Sequence, residues 1–224
     1  MITGAIINAL AILVGGAIGL VARGRISERF SKSIIRTLGL CVGVIGLQSA
    51  IAGDIMLMVV SLALGTLCGE ALDIEAALNR LGRYIQARFT KDNSTFAEGF
   101  VTTTLVYCVG AMAIVASIES GINGELSLIT TKSIIDGVSA IFFAASLGLG
   151  VLFSALAVFI YQGTIELFAS NLQHVLSAEL VAQFSAVGGV MIVALALNLS
   201  INANFKVANM LPSFVFAIAY YTIF

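Results

Sequence analysis

Nine of the eleven lysines and arginines in this chain fall in two short stretches, "RGRISERFSKSIIR" (Arg23 to Arg36) and "RLGRYIQARFTK" (Arg80 to Lys91). Between and beyond them the chain runs apolar for about 20 residues at a time, the length of a membrane span. A soluble fold scatters charge over its whole outside, about a quarter of its residues. Here charged residues make up 10% of 224 and hydrophobic ones 59%, with a mean hydropathy of +1.07. A surface of that composition cannot face water. The chain reads as an all-α, polytopic helical membrane protein, one integral membrane domain over residues 1–224.

Apolar windows between the charges predict spans at about 4–22, 34–52, 55–72, 97–118, 126–147, 148–166, 184–200 and 207–224. The two basic stretches are separated by two spans and both read as cytoplasmic. "SIESGINGE" (Ser117 to Glu125), which carries only acids, is then external. Residues 125–168 would be some 60 Å of helix if unbroken, at about 1.5 Å per residue. Splitting them at "LGLG" (Leu147 to Gly150) gives two ordinary spans. About eight spans with both termini external is the preferred count, and seven with a cytoplasmic C-terminus is the alternative. The apolar start has no basic residues before it, so it reads as a first span rather than a secretion signal. Residues 73–91 place Ile74, Leu78, Leu81, Ile85 and Phe89 at helical spacing with arginines on other faces. That pattern predicts a cytoplasmic interfacial amphipathic helix.

"CVGVIGLQSAI" (Cys41 to Ile51), "CVGAMAIVASI" (Cys108 to Ile118) and, more faintly, "VGGVMIVALAL" (Val187 to Leu197) resemble one another. "ARGRISERF" after the first span loosely echoes "YQGTIELF" after the sixth. Spans one to three would then correspond to spans six to eight as an inverted internal repeat, with a site where the halves meet. Glycine-rich apolar helices also resemble one another by composition alone, and both readings stand. Gly15 and Gly19, Gly39 and Gly43, and Gly65 and Gly69 are each spaced by four, so each pair lies on one helix face. Such faces let helices approach closely in lipid, within the chain or in a homo-oligomer.

Polar residues inside the spans are the candidate site. Lys132 and Asp136 lie one turn apart, within ion-pair reach, with Asp136 near the bilayer centre. A mid-membrane aspartate is costly unless it is paired, protonated or facing water. A structural ion pair with Lys132 is one reading, and a substrate or proton site is the other. Should the span be shifted, the pair is merely interfacial. Glu70, Gln48, Gln162 and Asn209 join them as candidates for a solute or ion pathway; Asn8 and Asn198 are further polar residues within spans. Glu70 is also read as opening the amphipathic helix, where a carboxylate suits the helix dipole. Pro212 is expected to free the carbonyl of Ala208 beside Asn209. Cys41, Cys68 and Cys108, with a single histidine in the chain, lack metal-ligand spacing, and no cofactor is implied. No hydrolase, metalloprotease or paired-aspartate motif appears, so enzymatic function is not expected, nor is a nucleic-acid partner.

"CVGAMAIVASIESGINGE", "KSIIDG", "GLGVLFSALAVFIYQG" and "KVANMLP", together with "GAIINALAILVGG" and "GEALDIEAALNRLG", resemble the YqgA-like bacterial inner-membrane proteins over nearly the whole chain. Ser120 departs from that pattern, which carries a third acid in the "SIESG" turn. The resemblance implies a bacterial inner-membrane location and, loosely, a transporter label; it supplies no activity, substrate or site. Taken together, the expectation is a small membrane transporter or channel for a small polar or ionic solute, embedded in the lipid bilayer and forming a homo-oligomer. The alternative is a non-transporting subunit or scaffold acting through helix contacts.

Overall fold

A computed structural model describes residues 2–23, 28–77, 79–80, 96–109, 111–172 and 177–223. All regular structure among them is helical. In chain order the helices are α1 (Thr3–Arg23), α2 (Glu28–Ile51), α3 (Ile55–Leu72), α4 (Phe96–Cys108), α5 (Ala111–Asn123), α6 (Ser127–Leu147), α7 (Gly150–Leu167), α8 (Ala169–Leu172), α9 (Ala178–Ile201) and α10 (Ser213–Ile223), with a 3-10 turn at Val207–Met210 before the last.

Burial runs opposite to that of a soluble helix. On α1 the buried positions are Gly4, Ala5, Asn8, Ala9, Ile12, Gly15, Gly16 and Gly19, while Ile6, Leu10, Leu13, Val14, Ile18 and Val21 point outward. Small residues inside and large aliphatic ones outside suit a solvent of acyl chains, where close backbone packing supplies the cohesion. Six helices (α1, α2, α3, α6, α7 and α9) are long and apolar enough to cross a membrane. A bent pair makes a seventh when counted as one span.

That pair, α4 and α5, occupies the expected span 97–118. Phe96–Cys108 and Met112–Asn123 meet at 62°, so the run is broken where a continuous helix was expected. The expected eighth span, 207–224, is a 3-10 turn followed by the 11-residue α10. It falls short of a full span by length. Of the expected amphipathic helix at 73–91, residue 78 and residues 81–95 lie outside the described residues. A helical turn at 74–77 follows α3, after Asp73 in the left-handed conformation.

The chain divides into two compact units, residues 1–35 with 92–177 and residues 36–91 with 178–224. In the first, α1 and α6 run parallel: Gly15 meets the backbone of Gly137, Gly19 that of Ile141, and Gly4 the side chain of Ile129. α7 runs antiparallel to α1, bringing Gly4 to Glu166 and Gly16 to Leu152. The α6–α7 connection is only Gly148 and Leu149, at the expected "LGLG" split. Gly148 has φ +81°, and the Arg23 guanidinium stands where its Cβ would be, so no other residue fits there. α4 begins beside this turn, with Phe96 against Gly150, and α5 ends at the opposite end, with Gly121 against Glu166 and Ala169. The bent pair therefore runs the full height of the unit, as a broken span and not a re-entrant loop.

In the second unit, α2 and α9 pack antiparallel. Gly39 meets Leu199 and Ser200, Gly43 meets Ala196, and Gly46 meets Gly189 and Val193. α3 and the C-terminal segment do likewise, with Gly69 against Asn209 and Gly65 against Ser213. Leu57, Val187 and Ala217 close a small core there with Phe214, Tyr220 and Tyr221. All six glycines of the four-residue pairs thus face a neighbouring helix of the same chain.

Candidate functional site

Three helices of the first unit bring one polar side chain or pair each to the same depth. Asp136 is the tenth of the 21 residues of α6. One turn earlier on that helix, Lys132 reaches its Oδ2 in an ion pair. The α1–α6 register carries Asn8 alongside, and its Nδ2 donates to Asp136 Oδ2 at 3.0 Å. The antiparallel α7 brings Gln162, whose Oε1 accepts from the same Asn8 nitrogen at 2.9 Å. Asn8 is therefore the hub, with both amide protons spent on acceptors from two helices. All four residues are buried, Asp136 at 5% exposure and Asn8 and Gln162 at zero. Asn8 Oδ1 and Gln162 Nε2 find no hydrogen-bond partner among the described residues. Buried polar atoms are almost always satisfied; this cluster keeps a spare donor and a spare acceptor, and spare polar atoms also remain on Ser61, Ser146, Ser185, Asn209 and Ser213 elsewhere.

The polar row continues in both directions. Toward the Arg23 end, Ser139 Oγ donates to the carbonyl of Asp136 (2.9 Å) and lies 3.2 Å from the hydroxyl of the fully buried Tyr107. Tyr107 belongs to the last turn of α4, just before the break in the bent span. Beyond Ser139 the buried residues of α6 and α7 turn mainly apolar, including Ala140, Phe143, Leu147, Val151 and Val158. Ser154, among them, folds its hydroxyl back onto the Val151 carbonyl at 2.6 Å.

Toward the Gly4 end stands Glu166, one turn after Gln162 on α7 and only 2% exposed. The amides of Gly4 and Ala5 and the hydroxyl of Ser120 are near enough to act on its carboxylate. None reaches it with hydrogen-bond geometry, and both its oxygens and Ser120 Oγ are unsatisfied among the described residues.

Of the sequence-predicted pathway residues, Lys132, Asp136 and Gln162 come together. Glu70, Gln48 and Asn209 belong to the other unit. Gln48 is exposed on α2. Glu70 lies in the last turn of α3 instead of opening an amphipathic helix, and its Oε2 pairs with Lys206 Nζ at 2.9 Å in an exposed bridge. The hydrogen bond to Glu70, then its charge, raises the pKa of Lys206. Asn209 is a structural clip: its Oδ1 accepts from the amide of Glu75 at 2.7 Å, while Glu75 Oε2 accepts from the amide of Ala208 at 3.2 Å. The carbonyl of Ala208 is not freed by Pro212, because the amide of Leu211 donates to it at 3.2 Å and closes a 3-10 turn. Asn198 likewise clips Phe205, giving to its carbonyl and taking from its amide, both at 2.7 Å.

Sequence reasoning passed over Glu166 and did not include Asn8 in the candidate pathway. Glu166 closes the expected span 148–166, and its spacing of four from Gln162 puts both on one face of a helix. Asn8 sits on the glycine and alanine face of α1, which is the buried face in lipid. No group of three or more His, Cys, Asp or Glu able to hold a metal ion occurs among the described residues.

Comparison with known proteins gives the chain its place. The model of a family described as "Protein of unknown function (DUF554)" matches residues 3–222. The chain belongs to that family. Two DUF554-like relatives span nearly the same length. The uncharacterized membrane protein YdfK of Bacillus subtilis (strain 168) is 30% identical over 216 residues, covering 94% of this chain and 91% of YdfK. The uncharacterized protein YqgA of Escherichia coli (strain K12) is 30% identical over 223 residues, covering 97% and 95%. No solved structure matches. With six or seven apolar helices of spanning length and a membrane protein among its relatives, this DUF554 member is a helical membrane protein.

Proposed function

We propose that the protein is a small transporter or channel of the bacterial inner membrane, moving a small polar or ionic solute along the row of buried side chains in the first unit. The observation that carries this reading is Asn8 joining Asp136 of α6 to Gln162 of α7 inside apolar helices, with its own Oδ1 and the Nε2 of Gln162 left over. Each stray polar atom in hydrocarbon costs several kcal/mol, which hydrogen bonds to a polar solute would offset. The break in the α4–α5 span beside Tyr107 adds support, because interrupted helices are where membrane proteins offer backbone to a solute. No enzymatic role is proposed. The bilayer is the surrounding partner. The homo-oligomer reading rests on outward faces, since the glycine faces are occupied within the chain.

A scaffold reading draws on one fact, the closed Lys132–Asp136 pair, which by itself locks a helix without moving anything. Flux decides between them. Wild-type proteoliposomes are expected to pass at least one member of a panel of small ions and neutral polar solutes. Asp136→Asn, eluting as the same species in size-exclusion chromatography, is expected to pass it at least tenfold more slowly. Equal flux from a folded Asp136→Asn protein, or no flux above empty liposomes from the wild type, overturns the transport reading.

A further inference from the structure

We propose that Glu166 is a proton-binding site at the Gly4 end of the first unit. The proposal deepens the transport reading by naming the coupling ion, and it rests on that reading only for the coupling.

Charge balance is the first argument. Lys132 and Asp136 cancel each other. Beyond that pair stands the carboxyl group of Glu166, 2% exposed, with no hydrogen-bonded partner on either oxygen among the described residues. A buried carboxylate in that position is neutralised or the fold bears the cost.

Construction is the second. The residue is packed between two glycines, Gly4 against its carboxylate and Gly121 against its backbone. A Cβ on Gly4 would stand 2.5 Å from Glu166 Oε1 and 2.8 Å from Ser120 Oγ, and one on Gly121 would stand 2.5 Å from the Glu166 carbonyl oxygen. Two helices thus give up side chains at the two points where a methyl group would crowd this residue.

The kind of ion follows from the neighbours. A divalent metal cation needs a shell of several oxygens, and no group of three or more His, Cys, Asp or Glu stands together among the described residues. Two of the nearest groups, the amides of Gly4 and Ala5, are donors; they repel a metal ion and also favour the charged carboxylate, so the acid forms only on acidification. A proton requires one oxygen and no shell. The charged and titratable groups around Glu166 are few. α1 contributes amides only, and the charged chain terminus beyond it acts on the carboxylate electrostatically. α5 contributes Ser120, with Glu119 beside it in sequence, and α8 contributes the methyl of Ala169. α6 contributes Lys132 and Asp136, joined to α7 through Asn8 and Gln162.

Uptake turns the carboxylate into a carboxylic acid and adds one positive charge to the unit. Its chemical consequence falls on Gln162, one turn away. The charged carboxylate is an acceptor for the free Gln162 Nε2, whereas the acid is a donor and competes with Asn8 for Gln162 Oε1. The amides of Gln162 and Asn8 orient the network and do not themselves carry the proton.

Infrared difference spectroscopy on the full chain in liposomes, between acid and alkaline buffer, tests this without any solute. The wild type is expected to show a carboxylic-acid carbonyl band that appears on acidification, persists in Asp136→Asn and is absent from Glu166→Gln. Glu166→Asp, which preserves the group if the glutamine variant misfolds, is expected to keep the band at a shifted position. A wild-type band set reproduced in full by Glu166→Gln overturns the proposal. So does a melting temperature that rises when sodium chloride replaces choline chloride in the wild type but not in Glu166→Gln, which would make the ligand an alkali cation. A band lost in Glu166→Gln beside unchanged flux in Asp136→Asn would keep the proton site and remove the transport reading.

Discussion

At the scale of single residues, the ion pair of Lys132 and Asp136 is a strong interaction that need not be a net gain. Two charges taken out of water lose hydration that their attraction only roughly repays, while removing one partner strands the other at about 3–5 kcal/mol. Lys132→Met is therefore expected to lower the detergent melting temperature clearly. The double variant Lys132→Met with Asp136→Leu should recover most of the loss. Additive losses, read from the same melts, would show that the two side chains do not act as a pair. The pair was legible in the sequence because it lies on one helix, where a spacing of four fixes proximity. Asn8 and Glu166 were not, because their roles depend on the register of α1 against α6 and α7, which spacing along one helix does not encode.

At the scale of helices, the seam between α1 and α6 is set by glycine. A methyl group on Gly15 would overlap the backbone carbonyl of Gly137, and a backbone cannot step aside as a side-chain tip does. Gly15→Ala is expected to cost about 1–3 kcal/mol, the usual range for overpacking, and to loosen the Asn8–Asp136 bond two turns away. Gly163→Ala is the control, since its new methyl would meet only ordinary contacts with Ala5 at 3.8 Å and Ile2 at 3.9 Å. Thermal melts of the two variants that coincide would contradict the seam. The Gly-x-x-x-Gly spacings announced these faces, and "LGLG" announced the α6–α7 turn. The break between α4 and α5 was hidden, since "VYCVGAMAIV" is apolar throughout and carries no proline. Hydropathy records how greasy a segment is and not whether it is straight.

At the scale of the molecule, the compact units cut across the expected division into spans one to three and six to eight. Within each unit, however, the segments proposed as counterparts pack antiparallel: α1 with α7, α2 with α9, and α3 with α10 preceded by its 3-10 turn. Spans five apart in the chain face opposite ways in any serpentine bundle, so this packing does not separate an inverted repeat from likeness of composition. Orientation is tested in a background lacking Cys41, Cys68 and Cys108. Asn123→Cys, at the end of α5, is expected to react with an impermeant maleimide in intact cells, and Ala203→Cys only after permeabilisation. The opposite pattern would invert the protein in the bilayer.

The mainly apolar stretch between Ser139 and the Arg23 end has an electrical meaning. Membrane voltage is worth about 2.3 kcal/mol per elementary charge for each 100 mV crossed, and it drops chiefly where the medium polarises least. That stretch still holds the buried hydroxyls of Thr102, Thr103, Ser146 and Ser154, but it carries no buried charged side chain among the described residues, so it takes the larger share of that drop. A charge settling on Glu166 would feel the smaller part of the cell's potential, and the step through the apolar stretch would feel the rest.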